Sequence, residues 1–172
     1  VFLLKFFKNI SPTRFSGFKF LKLYFRFLKK DKNSKIFLID PSINKSRNNI
    51  EFIRKLGVKK NKIHSTVAPF YNPNNINDKN LIQQINKFKP NIIFNNIGGG
   101  IQEVLGSYLK KNIKFNCKII CTGAAISFFT KDQAPINDFI DKFYLGWLVR
   151  SIFNPFSFPK RLLYALKLIN IV

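Results

Sequence analysis

Three consecutive glycines, Gly98, Gly99 and Gly100, end the largely apolar run Ile92–Ile97 and are followed, after Ile101, by Gln102 and Glu103. A strand that closes in such a turn and gives way to a helix can hold phosphate. Glycine takes positive φ and lets a ligand approach the backbone, while free N–H groups and the positive helix end favour an anion. The same residues also suit a plain strand-to-helix bend. Acid–base chemistry has few candidates, because the chain has only eight Asp and Glu. Asp40 ends one apolar run, Glu103 opens the helix after the glycines, and Asp132 follows a later strand in TKDQAP. All three fall at the edge where a parallel α/β sheet builds its ligand site, although Glu103 equally suits a first helical turn. There is no Ser/His/Asp order, HExxH, Walker loop or metal cluster.

Cys117 and Cys121 stand four apart on one expected strand, so their side chains share a face, and they are expected as buried thiols. Two cysteines without nearby partners make no zinc site and suggest a reducing compartment. The single histidine, His64, sits in the expected strand KIHSTV and reads as structural, with its tunable pKa as the alternative.

The elements that must carry these residues alternate. Ile36–Asp40 reads as a short buried strand, Asn44–Leu56 as a helix capped by Gly57, and Lys62–Val67 as a second strand. A loop rich in Asn leads to a helix from Asp78 to Phe88, stopped by Pro90, and Asn91–Ile97 is the third strand. The helix Gln102–Lys111 and the strand Cys117–Thr122 complete the pattern. Strands separated by helices imply a parallel sheet with ligands at the carboxyl ends. The expected fold class is α/β: a Rossmann-like parallel sheet flanked by helices, over residues 1–134, with a C-terminal helical appendage over residues 135–172.

Lys and Arg number 30, which leaves a net charge of +22. Such a field favours polyanions: nucleic acid, anionic lipid headgroups or nucleotide diphosphates. Lys, Asn, Ile and Phe are abundant together, as codons of an AT-rich genome would also make them. Residues 1–35 hold ten basic residues and one acid, interleaved with Phe15, Phe18, Phe20, Tyr24, Phe25 and Phe27. That mixture fits a single-strand nucleic-acid platform, a membrane-surface helix, or an ordinary amphipathic helix burying Phe18, Leu21, Phe25 and Leu28. Val1–Phe7 lacks a basic region before it and a cleavage site after it, so it reads as a helix or an edge rather than a signal sequence. No charge-free run approaches the roughly 18 residues of a spanning helix. The tail, Asn137–Val172, reads as two short helices around a proline break, with Phe153, Phe156 and Phe158 able to enter an interface or to pack on the sheet.

Taken in order, KPNIIFNNIGGGIQE, CTGAAISFF, QAP, LGWLVR and NPFSFPKR resemble the WecG/TagA/CpsF glycosyltransferase family. Gln102 and Glu103 fall on the family's QE, Gly123 and Ala124 on its GA, and Trp147 and Arg150 on its W-x-x-R. Pro155 and Arg161 fall on its basic tail, and Arg14 and Gly17 on an upstream R-x-x-G stretch. The resemblance implies an inverting transferase that moves an N-acetylmannosamine-type sugar from a UDP donor to a polyprenyl-diphosphate-linked N-acetylglucosamine. It implies a peripheral protein at the cytoplasmic face of the inner membrane, on an anionic lipid surface, with the appendage touching the bilayer. By the same resemblance the donor diphosphate lies near Gly98, Gly99 and Gly100. Gln102, Glu103, Gly123 and Ala124 line the donor site, and Arg14 and Gln102 serve the chemistry. Arg150 and Arg161 meet the lipid diphosphate. No cofactor or metal beyond the UDP-sugar is expected, nor a specific nucleic acid; an oligomer is compatible.

Some family positions differ. The presumed aspartate base, upstream of the R-x-x-G stretch, has no counterpart before Arg14, and the expectation is a divergent member lacking its first α/β unit. Gly100 and Ile101 stand for the family's PK, Ser127 for an aspartate, Gly146 for a glutamate, and Phe156 and Ser157 for two arginines. A non-catalytic nucleotide-binding scaffold at the membrane and a basic nucleic-acid-binding protein are the other readings.

Overall fold

Ile36–Asp40 is buried at all five positions and Ile92–Asn95 at all four, as strands are when both faces of a parallel sheet are covered. A computed structural model describes residues 15–31 and 33–130, with the isolated positions 140, 149 and 152. In it these two strands, β1 and β3, form the inner pair of a four-stranded sheet. The edge strands are β2 (Ile63–Val67) and β4 (Lys118–Cys121), in the order β2-β1-β3-β4 and parallel throughout. Edge position explains why β2 and β4 are only half-buried.

Among the described residues, four helices cover the sheet. One face takes α1 (Gly17–Lys30), through Leu21, Phe25 and Leu28, and α2 (Ile43–Lys55), through Ile53. These pack with Ile36, Leu38, Ile92 and Phe94, the side chains that alternation sends to that face. The other face takes α3 (Lys79–Phe88), through Leu81 and Ile85, and α4 (Ile101–Asn112), through Leu105 and Leu109, against Phe37, Ile39 and Ile93. The α/β expectation therefore holds. The strand expected over Asn91–Ile97 is shorter, although the Asn96 N–H still bonds the Ile39 carbonyl at 2.9 Å.

Two compact units divide the chain: Leu21–Asp132, which holds the whole sheet, and Val1–Phe20 with Gln133–Val172. In the second unit the Ser16 hydroxyl accepts from the Lys19 N–H at 3.1 Å, satisfying an early helical donor. Phe15 meets Phe20 edge-on, with ring centroids 6.4 Å apart. The expected appendage and Val1–Phe7 lie outside the described residues. Among the described residues no helix is long and apolar enough to cross a membrane.

Local polar chemistry fixes the helix starts. The Ser42 hydroxyl accepts from the Lys45 N–H ahead of α2. Asp78 does the same for α3, accepting from the Leu81 N–H at 2.8 Å, while its second oxygen accepts the Tyr71 hydroxyl at 2.6 Å. Burial, then the bond to Asp78, pushes the Tyr71 phenol upward, so it stays a donor. Asp78→Ala removes both bonds and is expected to cost about 1–2 kcal/mol. A urea melt checks this; an unchanged midpoint would mean that Asp78 anchors nothing.

Candidate functional site

From β1 the chain runs outward to β2 and then returns to place β3 on the other side of β1. The crevice between the carboxyl ends of β1 and β3 is thus the topological switch point, where open α/β sheets bind ligands. Asp40 closes β1 and Asn95 and Asn96 close β3, so the sheet delivers three polar side chains to that point.

The glycine turn leaves β3 there and becomes the start of α4. Gly100 has φ +88, which favours glycine, and its N–H donates to Glu103 Oε2 at 2.8 Å. Glu103 Oε1 accepts the Gln102 amide at 2.7 Å. Its own backbone N–H, the Gln102 amide and the Gly100 N–H hold the Glu103 carboxyl below the usual range. The carboxylate therefore caps the helix and already marks this end of α4 as an anion position. Gly98 and Gly99 differ from Gly100. Neither has positive φ, and a Cβ added to either meets nothing within 4 Å. Packing among the described residues does not require glycine at these two positions, and none of those residues fills the space beside them.

Gln102 joins the turn to the end of β4. Its carbonyl accepts from Asn95 Nδ2 at 2.9 Å, and its side-chain amide lies over Gly123, where an added Cβ would come within 3.0 Å of Oε1. Gly123 has φ +51 and opens the 3-10 turn Gly123–Phe128, with Ala124 exposed beside it. The structure thus brings together Gly98, Gly99, Gly100, Gln102, Glu103, Gly123 and Ala124. Arg14, Asp132, Trp147, Arg150, Pro155 and Arg161 lie outside the described residues.

Asp40 is fully buried and Asn96 is 4% exposed. Asp40 Oδ1 accepts from Asn49 Nδ2 at 2.6 Å and from Asn96 Nδ2 at 2.7 Å. The Thr122 hydroxyl reaches the Asn95 carbonyl at 3.1 Å and also contacts Asn96 Oδ1. Burial pushes the Asp40 carboxyl upward against the opposing pull of Asn96, Asn49 and Ser46. Sequence reasoning found Asp40 and missed Asn49, Asn95, Asn96 and Thr122. The available signal was a pair of asparagines inside an apolar run directly before the glycines.

The expectation of two buried thiols on one strand changes. Cys117 precedes β4 and is half-buried, its thiol pushed by burial up to about 11, whereas Cys121 is exposed because β4 is an edge strand. His64 packs against the rings of Phe37 (5.0 Å) and Phe88 (5.4 Å) near the amino end of β2, away from the crevice, in keeping with the structural reading. Beyond the carboxyl end of β2, a cleft of about 820 Å³ is lined by Thr66, Phe70, Asn75, Asn77, Asp78 and Asn80 among others, with no lysine or arginine among the described residues of its walls.

The model of the glycosyl transferase WecG/TagA/CpsF family matches residues 1–171 of the chain. No curated protein matches it.

Proposed function

The chain belongs to the WecG/TagA/CpsF family of glycosyl transferases, and from that premise we propose that it transfers an N-acetylmannosamine-type sugar, with inversion, from a UDP donor to a polyprenyl-diphosphate-linked N-acetylglucosamine. One observation carries the donor reading: open space beside Gly98 and Gly99, where the fold makes no demand for glycine. Backbone N–H groups there and the positive end of α4 would face the diphosphate, and Gln102 would hydrogen-bond it or the sugar. Departure of UDP develops negative charge on the leaving oxygen, which these fixed dipoles would stabilise without reorganising; Arg14 is proposed as a leaving-group contact on the family resemblance alone. The UDP-sugar enters as substrate, with no separate cofactor in the scheme.

Inversion also needs a base for the acceptor hydroxyl. Among the described residues, Asp40 is buried and Glu103 has one oxygen on the Gly100 N–H and the other on the Gln102 amide, so neither is assigned that role. Arg150 and Arg161 are proposed to contact the acceptor diphosphate, for which a guanidinium suits bidentate pairing. The protein would work peripherally, at the cytoplasmic face of the inner membrane, drawn to anionic lipid by its charge of +22.

Gly98→Ala with Gly99→Ala tests the carrying observation. Since nothing in the fold opposes a Cβ there, the double variant should melt within about 0.5 kcal/mol of the parent. Its affinity for UDP-N-acetylmannosamine, by calorimetry, should fall on the order of tenfold, the usual effect of crowding a phosphate cradle. Unaltered affinity would remove the turn from the donor site. UDP release in the presence of a short-chain polyprenyl-diphosphate N-acetylglucosamine tests transfer itself, and binding without release would favour the scaffold reading.

A further inference from the structure

Two of the buried oxygens that lack a hydrogen-bond partner, Asp40 Oδ2 and Asn49 Oδ1, belong to residues already joined by a bond, from Asn49 Nδ2 to Asp40 Oδ1 at 2.6 Å. An ionised carboxylate only accepts, and so does an amide oxygen. With Asp40 charged, neither acceptor has a partner at hydrogen-bond distance, since the Ser46 hydroxyl that also pulls on the carboxylate is bonded to Ser65 at 2.8 Å, an expensive arrangement for buried groups. Turning the Asn49 amide over would only set its oxygen against Asp40 Oδ1. A single proton on Asp40 Oδ2, turned toward Asn49 Oδ1, would give both atoms a partner in a cyclic acid–amide pair.

We propose that Asp40 is a positioning residue that works as the neutral acid, paired with Asn49, and that it sets the orientation of Asn96 beneath the glycine turn. Asp40 Oδ1 fixes the Asn96 amide nitrogen at 2.7 Å, which leaves Asn96 Oδ1 for the Thr122 hydroxyl. The ends of β1, β3 and β4 are thereby tied together two residues before Gly98 and one before Gly123. Neutrality also has an electrostatic consequence, which rests on the donor reading above: a buried carboxylate beside a diphosphate site would repel the ligand, and the acid form does not. The groups acting on Asp40 are Ser46 and Asn49 on α2 and Asn96 after β3, and none of them titrates. On its other side it pairs with Val67, and its carbonyl accepts the Ala68 N–H at 2.9 Å. Burial raising its pKa agrees with the acid form.

The test compares Asp40→Asn with Asp40→Ala in the full chain and reads the protonation of Asp40 directly, by carbon-13 NMR of labelled aspartate carboxyls with Asp40→Asn as the assignment control. The amide that Asp40→Asn introduces can accept and donate at the same two positions as the acid, so this variant should keep the melting midpoint and hold UDP-sugar affinity within about twofold. Asp40→Ala should lose both, affinity by roughly tenfold or more. The Asp40 carboxyl should be protonated near pH 7, well above the ordinary aspartate value of about 3.9. Because the folded pKa is raised, wild-type stability should be greatest below the unfolded pKa and fall as pH rises through the folded one. Asp40→Asn should lack that component of the slope. An ionised Asp40 signal at neutral pH, or Asp40→Asn as damaged as Asp40→Ala, would overturn the proposal. Should no UDP-sugar bind at all, the donor reading fails while the NMR signal and melting curves still decide the state of Asp40. Should Asp40→Ala not fold, Asp40→Asn and the carboxyl signal decide it alone.

Discussion

Phe94→Ala is expected to lower the stability of the fold by about 3–5 kcal/mol, the usual cost of emptying a buried aromatic position. Phe94 lies on the central strand β3 with no exposed surface. Its ring meets Tyr24 edge-on at 5.9 Å and Phe25 at 6.0 Å, so it joins α1 to the sheet. Small domains hold only about 5–15 kcal/mol in total, and the loss would leave a large part of the protein unfolded at physiological temperature. Chemical denaturation followed by circular dichroism measures it. A loss under about 1 kcal/mol would show that α1 does not depend on this contact.

On the proposed donor site, Gly123→Val should remove transfer activity on the order of a hundredfold, because it displaces the Gln102 side chain by a fraction of an ångström or more. The Cβ would stand 3.0 Å from Gln102 Oε1, and a β-branched residue is strained at φ +51. The effect runs through Gln102. Adding Gln102→Ala to Gly123→Val should therefore cost little more than either change alone, since the two act as a unit. Steady-state UDP release, with a melting curve to separate misfolding from misplacement, decides it. Additive losses would mean that Gly123 and Gln102 serve different steps.

Much of the fold was legible because the inner strands of a parallel sheet write themselves as unbroken apolar runs: IFLID and NIIFNNI needed no alternation to be recognised. Strand order was not, since nothing local says that β3 will lie beside β1 rather than beside β2. At the site, the glycine turn, Gln102, Glu103 and Gly123 were legible through the order of their motifs. Asn96 and Asn49 were not, because asparagine is abundant throughout this chain and two buried ones look like the many exposed ones. Only the register of β1 against β3 shows that an asparagine one residue past a strand end meets the aspartate that ends its neighbour. The burial expected of Cys121 failed for a related reason, as a strand's place at the edge is a property of the whole sheet.

The strand order also governs how the chain can assemble. Ile36 must find Ile63 on one side and Ile92 on the other, so β1 emerges from the ribosome early and waits, both edges open, for partners made later. Parallel pairing across intervening helices makes for slow folding and a long interval of exposure. During it the apolar IFLI segment is flanked by Lys29, Lys30, Lys32 and Lys35 on one side and Lys45 and Arg47 on the other. Like charges of this kind act as gatekeepers that keep nascent strands from stacking on one another. The basic excess, whatever else it binds, thus gives the unfinished protein time to complete its sheet.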